Sequence, residues 1–205
     1  GAVVSIDAIG CQKEIAKTIR ERKAHYLLGL KANQPDLLEE VELAFVHHKV
    51  SSEDRQDTKG HGRVETRICQ VIDDPTLLSA VSHWKDLAML VRVTAITYHV
   101  LDKKTTEQVR FYLSSLVADA ARFNNLVRQH WGIENSMHWV MDVTFQEDAS
   151  RVRKGHADQN FSTVRRWALN LCKLHDEPKL STNLKRKSAS YSDAFREKLL
   201  RIKTR

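Results

Sequence analysis

The stretch RQHWGIENSMHW, Arg128 to Trp139, sets one carboxylate, Glu134, between two His-Trp pairs eight residues apart. On a helix, positions three and four apart share a face, so Val127, Trp131, Glu134, His138, Met141 and Asp142 fall near one another. Three readings fit. In the first, Trp131, Ile133, Met137 and Val140 are core, and the acid and histidines are ordinary surface. In the second, His130, Glu134 and His138, spaced by four, bind zinc, but the site needs three or four ligands and no further soft ligand lies nearby. The third needs another carboxylate. Asp7 offers one at the end of an apolar run, where gathered acids could bind Mg²⁺ or Mn²⁺ and activate water for phosphodiester cleavage. Asp7 also reads as a cap or turn residue before CQKEIAK. Spacing alone leaves all three open.

The elements that must position these residues follow from the hydrophobic pattern. AVVSID reads as a buried strand ending at Asp7, CQKEIAKTIRERK as a helix and AHYLLGLK as a second strand. Such a β-α-β unit pairs its strands in parallel, which puts Asp7 and Lys31 at one carboxyl edge, where ligands gather. A second helix starts near Pro35, with Leu37, Leu38, Val41, Leu43, Ala44 and Phe45 as its apolar face. HHKVSSEDRQDTKGHG, polar and marked by glycine, reads as a loop. RVETRICQVI, LAMLVRVTAITYHV and EQVRFYLSS read as strands, the last two joined by the turn LDKKTT, so residues 59–115 form a mostly antiparallel block. From Asp119 the pattern is helical, with a later helix presenting Val164, Ala168, Leu171 and Cys172 on one face. The order is α/β, then β, then α.

Composition narrows the class. At 205 residues, 41% of them hydrophobic and three of them proline, the chain fits one domain or one with an insertion, and its composition argues against disorder. Its three cysteines are scattered, odd in number and without a CxxC pair, against a disulfide framework or thiolate zinc site and in keeping with a reducing cytoplasm. No apolar run reaches membrane-spanning length, and the first residues lack the charged start of a signal peptide. Net charge is +7, but from Arg151 onward 15 Lys/Arg face 5 Asp/Glu, a net of +10 that leaves −3 for residues 1–150. A polyanion such as double-stranded DNA is the natural partner, and a solvated basic tail is the alternative.

SIDAIGCQKEIAKTI, YLLGLKANQPDL, KGHGRVETR, RFYLSSL, RQHWGIENSMHWVMDVTFQEDASRVRKG and LKRKSAS occur in an order that resembles the H-repeat-associated insertion-sequence transposases, a branch of the DDE transposases. The resemblance runs through nearly the whole chain. It implies an α/β, ribonuclease-H-like fold in which two Asp and one Glu hold two divalent metals, Mg²⁺ or Mn²⁺. Asp7 matches the second acid and Glu134 the third. Residues 1–58 and 116–205 would form a partial catalytic domain with basic C-terminal helices, and residues 59–115 a β-strand insertion. The family's first acid lies upstream of Gly1, so the first three strands and one ligand are expected to be missing. The implied parent is a cytoplasmic, nucleoid-associated enzyme, able to act as a homodimer, that cuts element ends and joins the 3′-OH to target DNA. Whether this chain is itself an enzyme stays open beside an inactive DNA-binding remnant and a DNA-indifferent hydrolase.

The departures from the family shape further expectations. Related transposases carry a Tyr, Arg, Glu, Lys signature around the third acid; here Val127, His130 and Met141 stand at the Tyr, Arg and Lys positions. Phosphate contacts then fall to Arg128, Arg151, Arg153 and Lys154, with His130 and His138 orienting Glu134 or touching DNA. Lys31, Asn33 and Gln34 could contact phosphate or hold Asp7, Arg63 could lie on DNA, and Trp84 could stack on an unpaired base or pack in the core. Asp142, Glu147 and Asp148 are expected in salt bridges with Arg151 and Arg153. Lys185, Arg186 and Lys187 are expected on the phosphate backbone without base specificity.

Overall fold

The computed structural model describes residues 1–60, 62–79, 81–175 and 179–200, with the backbone alone at 134 and 135. Two compact units result, Gly1–His130 and Trp131–Arg205.

The first unit opens with β1 (Val3–Ile6), a 3₁₀ turn over Ala8–Gly10, α1 (Lys13–Glu21) and β2 (His25–Leu30), and β1 and β2 are parallel, Val3 opposite His25 and Ile6 opposite Leu28. The β-α-β expectation therefore holds. β1 is only partly buried, because among the described residues it is an edge strand, whereas β2 is paired on both sides and nearly all buried. α2 (Pro35–His47) follows with Leu37, Val41, Ala44 and Phe45 buried; Leu43, expected on that face, is half exposed because it sits two positions past Val41, round the helix.

β3 (Ser52–Gly60) corrects the loop expectation. It pairs antiparallel with β4 (Arg63–Ile72) over nine residues, from Ser52 opposite Val71 to Gly60 opposite Arg63. The strand holds without apolar residues because its polar side chains find partners: Gln70 Nε2 donates to Glu53 Oε2 at 2.6 Å, Asn124 Nδ2 to Asp54 Oδ2 at 2.8 Å, and the Thr66 hydroxyl to Asp57. A charged outer strand also discourages further pairing. β5 (Met89–His99) and β6 (Lys104–Ser114) complete the sheet, with Lys104–Thr106, read as turn, belonging to β6. The order is β1-β2-β6-β5-β4-β3, antiparallel except for the first pair.

The core of this unit lies against β2 and the proximal ends of β4, β5 and β6. Tyr26, Leu28 and Leu30 meet Ile19, Val41, Phe45, Ile72, Leu90 and Leu113. Trp84 is in the same cluster, 2% exposed, so it packs in the core and presents no face to a base. α3 (Ala120–Ile133) buries Ala120, Phe123, Asn124 and Val127.

The long helix read from Asp119 is interrupted. Glu134–His138 form a π turn before α4 (Trp139–Phe145). A π turn adds a residue to the turn and rotates every later side chain relative to a regular helix; before it Ile133, read as core, is 55% exposed, and after it Met141 is buried. In the second unit α5 (Ala157–Leu174), α6 (Thr182–Tyr191) and α7 (Asp193–Leu200) follow, burying Leu169, Cys172, Lys185 and Leu199. The buried face of α5 runs through Leu169 and Cys172 rather than Val164, which is exposed.

Candidate functional site

Asp7 follows β1 directly and stands at the carboxyl edge, where Lys31 follows β2. The Lys31 ammonium lies 3.3 Å from Asp7 Oδ1. Asn33 Nδ2 donates to Ala8 O at 2.8 Å and Gln34 Nε2 to Cys11 O at 3.1 Å, so the residues after β2 pin the backbone just past the acid. Asp7 makes no side-chain cap bond to the turn it precedes, and α1 is preceded by Gln12, so the cap reading does not account for it. Burial alone would raise its carboxyl, but the Ala8 backbone N–H, Lys31 and the charge of His130 outweigh it and hold it below the ordinary carboxylate value. The acid is ionised and about half exposed, as a ligand for a hard cation must be.

Sequence reasoning missed two neighbours. A Cβ on Gly29 of β2 would stand 3.5 Å from Asp7 Oδ1, in ordinary van der Waals contact, so the β2 backbone lies directly beside the acid. The available signal was a glycine inside an apolar strand, which marks a close approach. Ser5, two residues before Asp7, shares a hydrogen bond with His130 Nδ1 at 3.1 Å. His130 was expected on DNA or beside Glu134; its Nδ1 ties the last turn of α3 in this unit to β1.

Glu134 is the first residue of the π turn, and its side chain lies outside the described atoms. Among the described residues no group of three or more His, Cys, Asp and Glu is placed to hold a metal. Val127 and Met141, at the signature positions for Tyr and Lys, are 4% and 2% exposed. Both are packing positions, so contacts to a phosphate must come from elsewhere. The three cysteines are buried, and burial pushes the Cys11 and Cys69 thiols up to about 12.

The expected DNA contacts divide by exposure. Lys31, Arg63, Arg128, His138, Arg151, Arg153, Lys154 and Lys187 are exposed. Arg186 is partly buried, its guanidinium 5.9 Å from the centre of the Phe145 ring. Lys185 corrects its expectation: it is 7% exposed, and its ammonium donates to Cys172 O at 3.1 Å and His175 O at 2.7 Å, closing the carboxyl end of α5. The expected bridges from Asp142, Glu147 and Asp148 to Arg151 and Arg153 are not formed among the described residues. Burial first, then the charges of Asp148 and Glu147, raise the Asp142 carboxyl.

Among the described residues no helix is long and apolar enough to cross a membrane. The family model for the transposase DDE domain matches residues 1–171. The chain is 37% identical over 205 residues to "Putative transposase YncI" of Escherichia coli O157:H7, covering 97% of this chain and 52% of that protein. It is 32% identical over 194 residues to "H repeat-associated putative transposase YhhI" of Escherichia coli strain K12, covering 91% and 51%. "Putative protein YbfL" of the same strain is also 32% identical over 194 residues, with the same coverage. The chain thus spans about half the length of these relatives. No solved structure matches it significantly. A family match over residues 1–171, which include Asp7 and Glu134, places this chain in the transposase DDE domain family.

Proposed function

We propose that the chain is the C-terminal, DNA-handling part of an insertion-element transposase and that Asp7 and Glu134 are two of its metal-binding acids. The observation that supports this most is Asp7 itself: an acid at the carboxyl end of a parallel strand, kept ionised and half exposed, with its neighbouring backbone pinned by Asn33 and Gln34. Family membership implies divalent-metal use in general, and two carboxylates with no accessible thiol suit Mg²⁺ or Mn²⁺. Bound there, such an ion would lower the pKa of an attacking water or 3′-OH and stabilise the leaving oxygen. The chain's own residues would hold the acids in place and bind phosphate through Arg128, Arg151, Arg153, Lys154 and Lys187. The longer parent would cut element ends and transfer the strand, acting as a homodimer on DNA.

The Lys31 ammonium beside Asp7 favours a second reading, a DNA-binding protein without chemistry, because a cation of the chain itself already balances that acid. One experiment separates the two. In a parent-length protein, Asp7→Ala or Glu134→Ala should abolish metal-dependent cleavage of element-end DNA while leaving DNA binding in place. Cleavage that survives both substitutions would show that these acids are not ligands, and a wild-type parent that binds but never cleaves would favour the second reading.

A further inference from the structure

β3, nine residues long, is the outer strand of the sheet among the described residues. Which of its backbone groups face outward follows from the ladder. In antiparallel pairing the N–H and C=O of one residue face the same neighbour, and those of the next residue face the other way. The Val100 N–H, just past β5, donates to Gly62 O, just before β4, at 2.9 Å. Continuing that alternation, the even-numbered residues of β4 face β5 and the odd-numbered ones face β3. These odd-numbered residues stand opposite even-numbered residues of β3, Arg63 opposite Gly60 and Val71 opposite Ser52. The outward backbone groups of β3 therefore belong to Glu53, Arg55, Asp57 and Lys59, all of them exposed.

The side chains of these residues share one face of the sheet, opposite to that of Asp54, which meets Asn124 of α3. Their charges alternate along the strand, negative, positive, negative, positive. Within one chain they are loosely tied: Arg55 Nε reaches Asp57 Oδ2 at only 3.4 Å, and both side chains stay more than half exposed. A charged edge keeps out strands in general, but this alternation admits one partner. About a two-fold axis at Gln56, an antiparallel copy of β3 sets Glu53 opposite Lys59 and Arg55 opposite Asp57, all attractive pairs between outward backbone groups. On the other face Asp54 meets Thr58 and Gln56 meets its own copy. Sliding the copy by two residues in either direction sets Arg55 or Asp57 against itself, and sliding it by one sets outward backbone against inward. The charges thus specify the register as well as the partner.

We propose that β3 pairs antiparallel with β3 of a second copy of this chain, about a two-fold axis through Gln56, so that the two sheets join into one. Main-chain hydrogen bonds supply the affinity and the alternating charges the specificity. The pairing is self-complementary, as a two-fold interface must be. It names the surface behind the homodimer proposed above and rests on no other part of that reading.

The test uses the 205-residue chain without DNA or metal. Analytical ultracentrifugation should show monomer passing to dimer as concentration rises. Arg55→Glu and Asp57→Arg should each weaken self-association by roughly tenfold, because the symmetry turns two attractive pairs into repulsive ones. Mixed together, the two variants should form a heterodimer of near wild-type affinity, since the reversed charges then face each other. Gln56→Cys should give a disulfide-linked dimer on mild oxidation. The axis sets both copies of position 56 in a pair without backbone bonds, about 4.5 Å apart at Cα and within disulfide reach, and the natural cysteines are buried. Lys59→Cys should not, because its two copies lie six residues apart along the ladder, roughly 20 Å. A wild-type chain that stays monomeric and a Gln56→Cys variant that does not cross-link overturn the pairing, and leave the DNA and metal readings untouched. Dimers that survive both charge reversals, or variants that stay monomeric when mixed, overturn this edge as the interface. Equal cross-linking of Gln56→Cys and Lys59→Cys overturns the register.

Discussion

At the scale of single residues, the fate of a charged side chain depends on what its local geometry leaves unsatisfied. Asp7 is held ionised by the Ala8 N–H, Lys31 and His130 against the opposing effect of burial. Because its folded value is depressed, the stability it adds is present above the ordinary carboxylate range and is lost as pH falls through the folded value. Lys31→Met should raise the Asp7 carboxyl and shrink that acid-side loss. Both side chains are about half exposed, so the effect on stability should stay within about 1 kcal/mol. A carbon-13 titration of the Asp7 carboxyl checks it, and an unmoved midpoint would mean the pair does not persist in solution. Lys185 behaves oppositely. Two carbonyls at the end of α5 lose a charged donor in Lys185→Met, a change that nearly keeps volume, and unfolding should become easier by about 1.5–3 kcal/mol. Urea denaturation measures this, and no loss of stability would return Lys185 to the surface role suggested by the basic run LKRKS. That run is legible as charge, but which lysine turns inward depends on the phase of α6 against α5, which composition does not carry.

At the scale of elements, what was legible is what apolar periodicity encodes. α2, β4 and β5 were readable because their apolar residues recur at three-to-four or two positions, and β2 because it is a short unbroken apolar run ending before Lys31. β3 was not, since its alternation is of polar residues with polar ones and its partners, such as Gln70 and Asn124, lie 17 and 70 positions away. The π turn was equally hidden: the composition around Glu134 is that of an ordinary amphipathic helix, and one extra residue per turn leaves no mark on it. Gly132, in the last turn of α3, allows a direct probe. It is exposed, and a Cβ there meets nothing within 4 Å. Gly132→Ala should therefore stabilise the protein by about 0.5–1 kcal/mol through lower chain entropy in the unfolded state. A lowered melting temperature would instead show that the backbone at the π turn draws on glycine's freedom, and so that the turn is held under strain beside Glu134.

At the scale of the whole molecule, the uneven charge is the property most directly open to measurement. The last 55 residues carry a net +10 and the rest −3, and several of these cations stand exposed without a structural task of the kind that occupies Lys185. A DNA contact made by such residues releases condensed counterions, so the logarithm of the affinity falls with the logarithm of salt by about 0.9 per phosphate neutralised. If Arg128, Arg151, Arg153, Lys154 and Lys187 each meet a phosphate, the slope should be about −4.5. Substituting Arg151, Arg153 and Lys187 together by Ala should move it to about −1.8, whereas Lys185→Met should leave it unchanged, because that ammonium is already committed to backbone carbonyls. Both variants remove charge from the last 55 residues, three exposed cations in one and a single buried one in the other. A slope that responded equally to both would mean that net charge alone governs binding and that the exposed residues form no defined interface. Any slope close to zero in the wild type would remove DNA as the partner and favour a metal-dependent hydrolase acting on a smaller substrate.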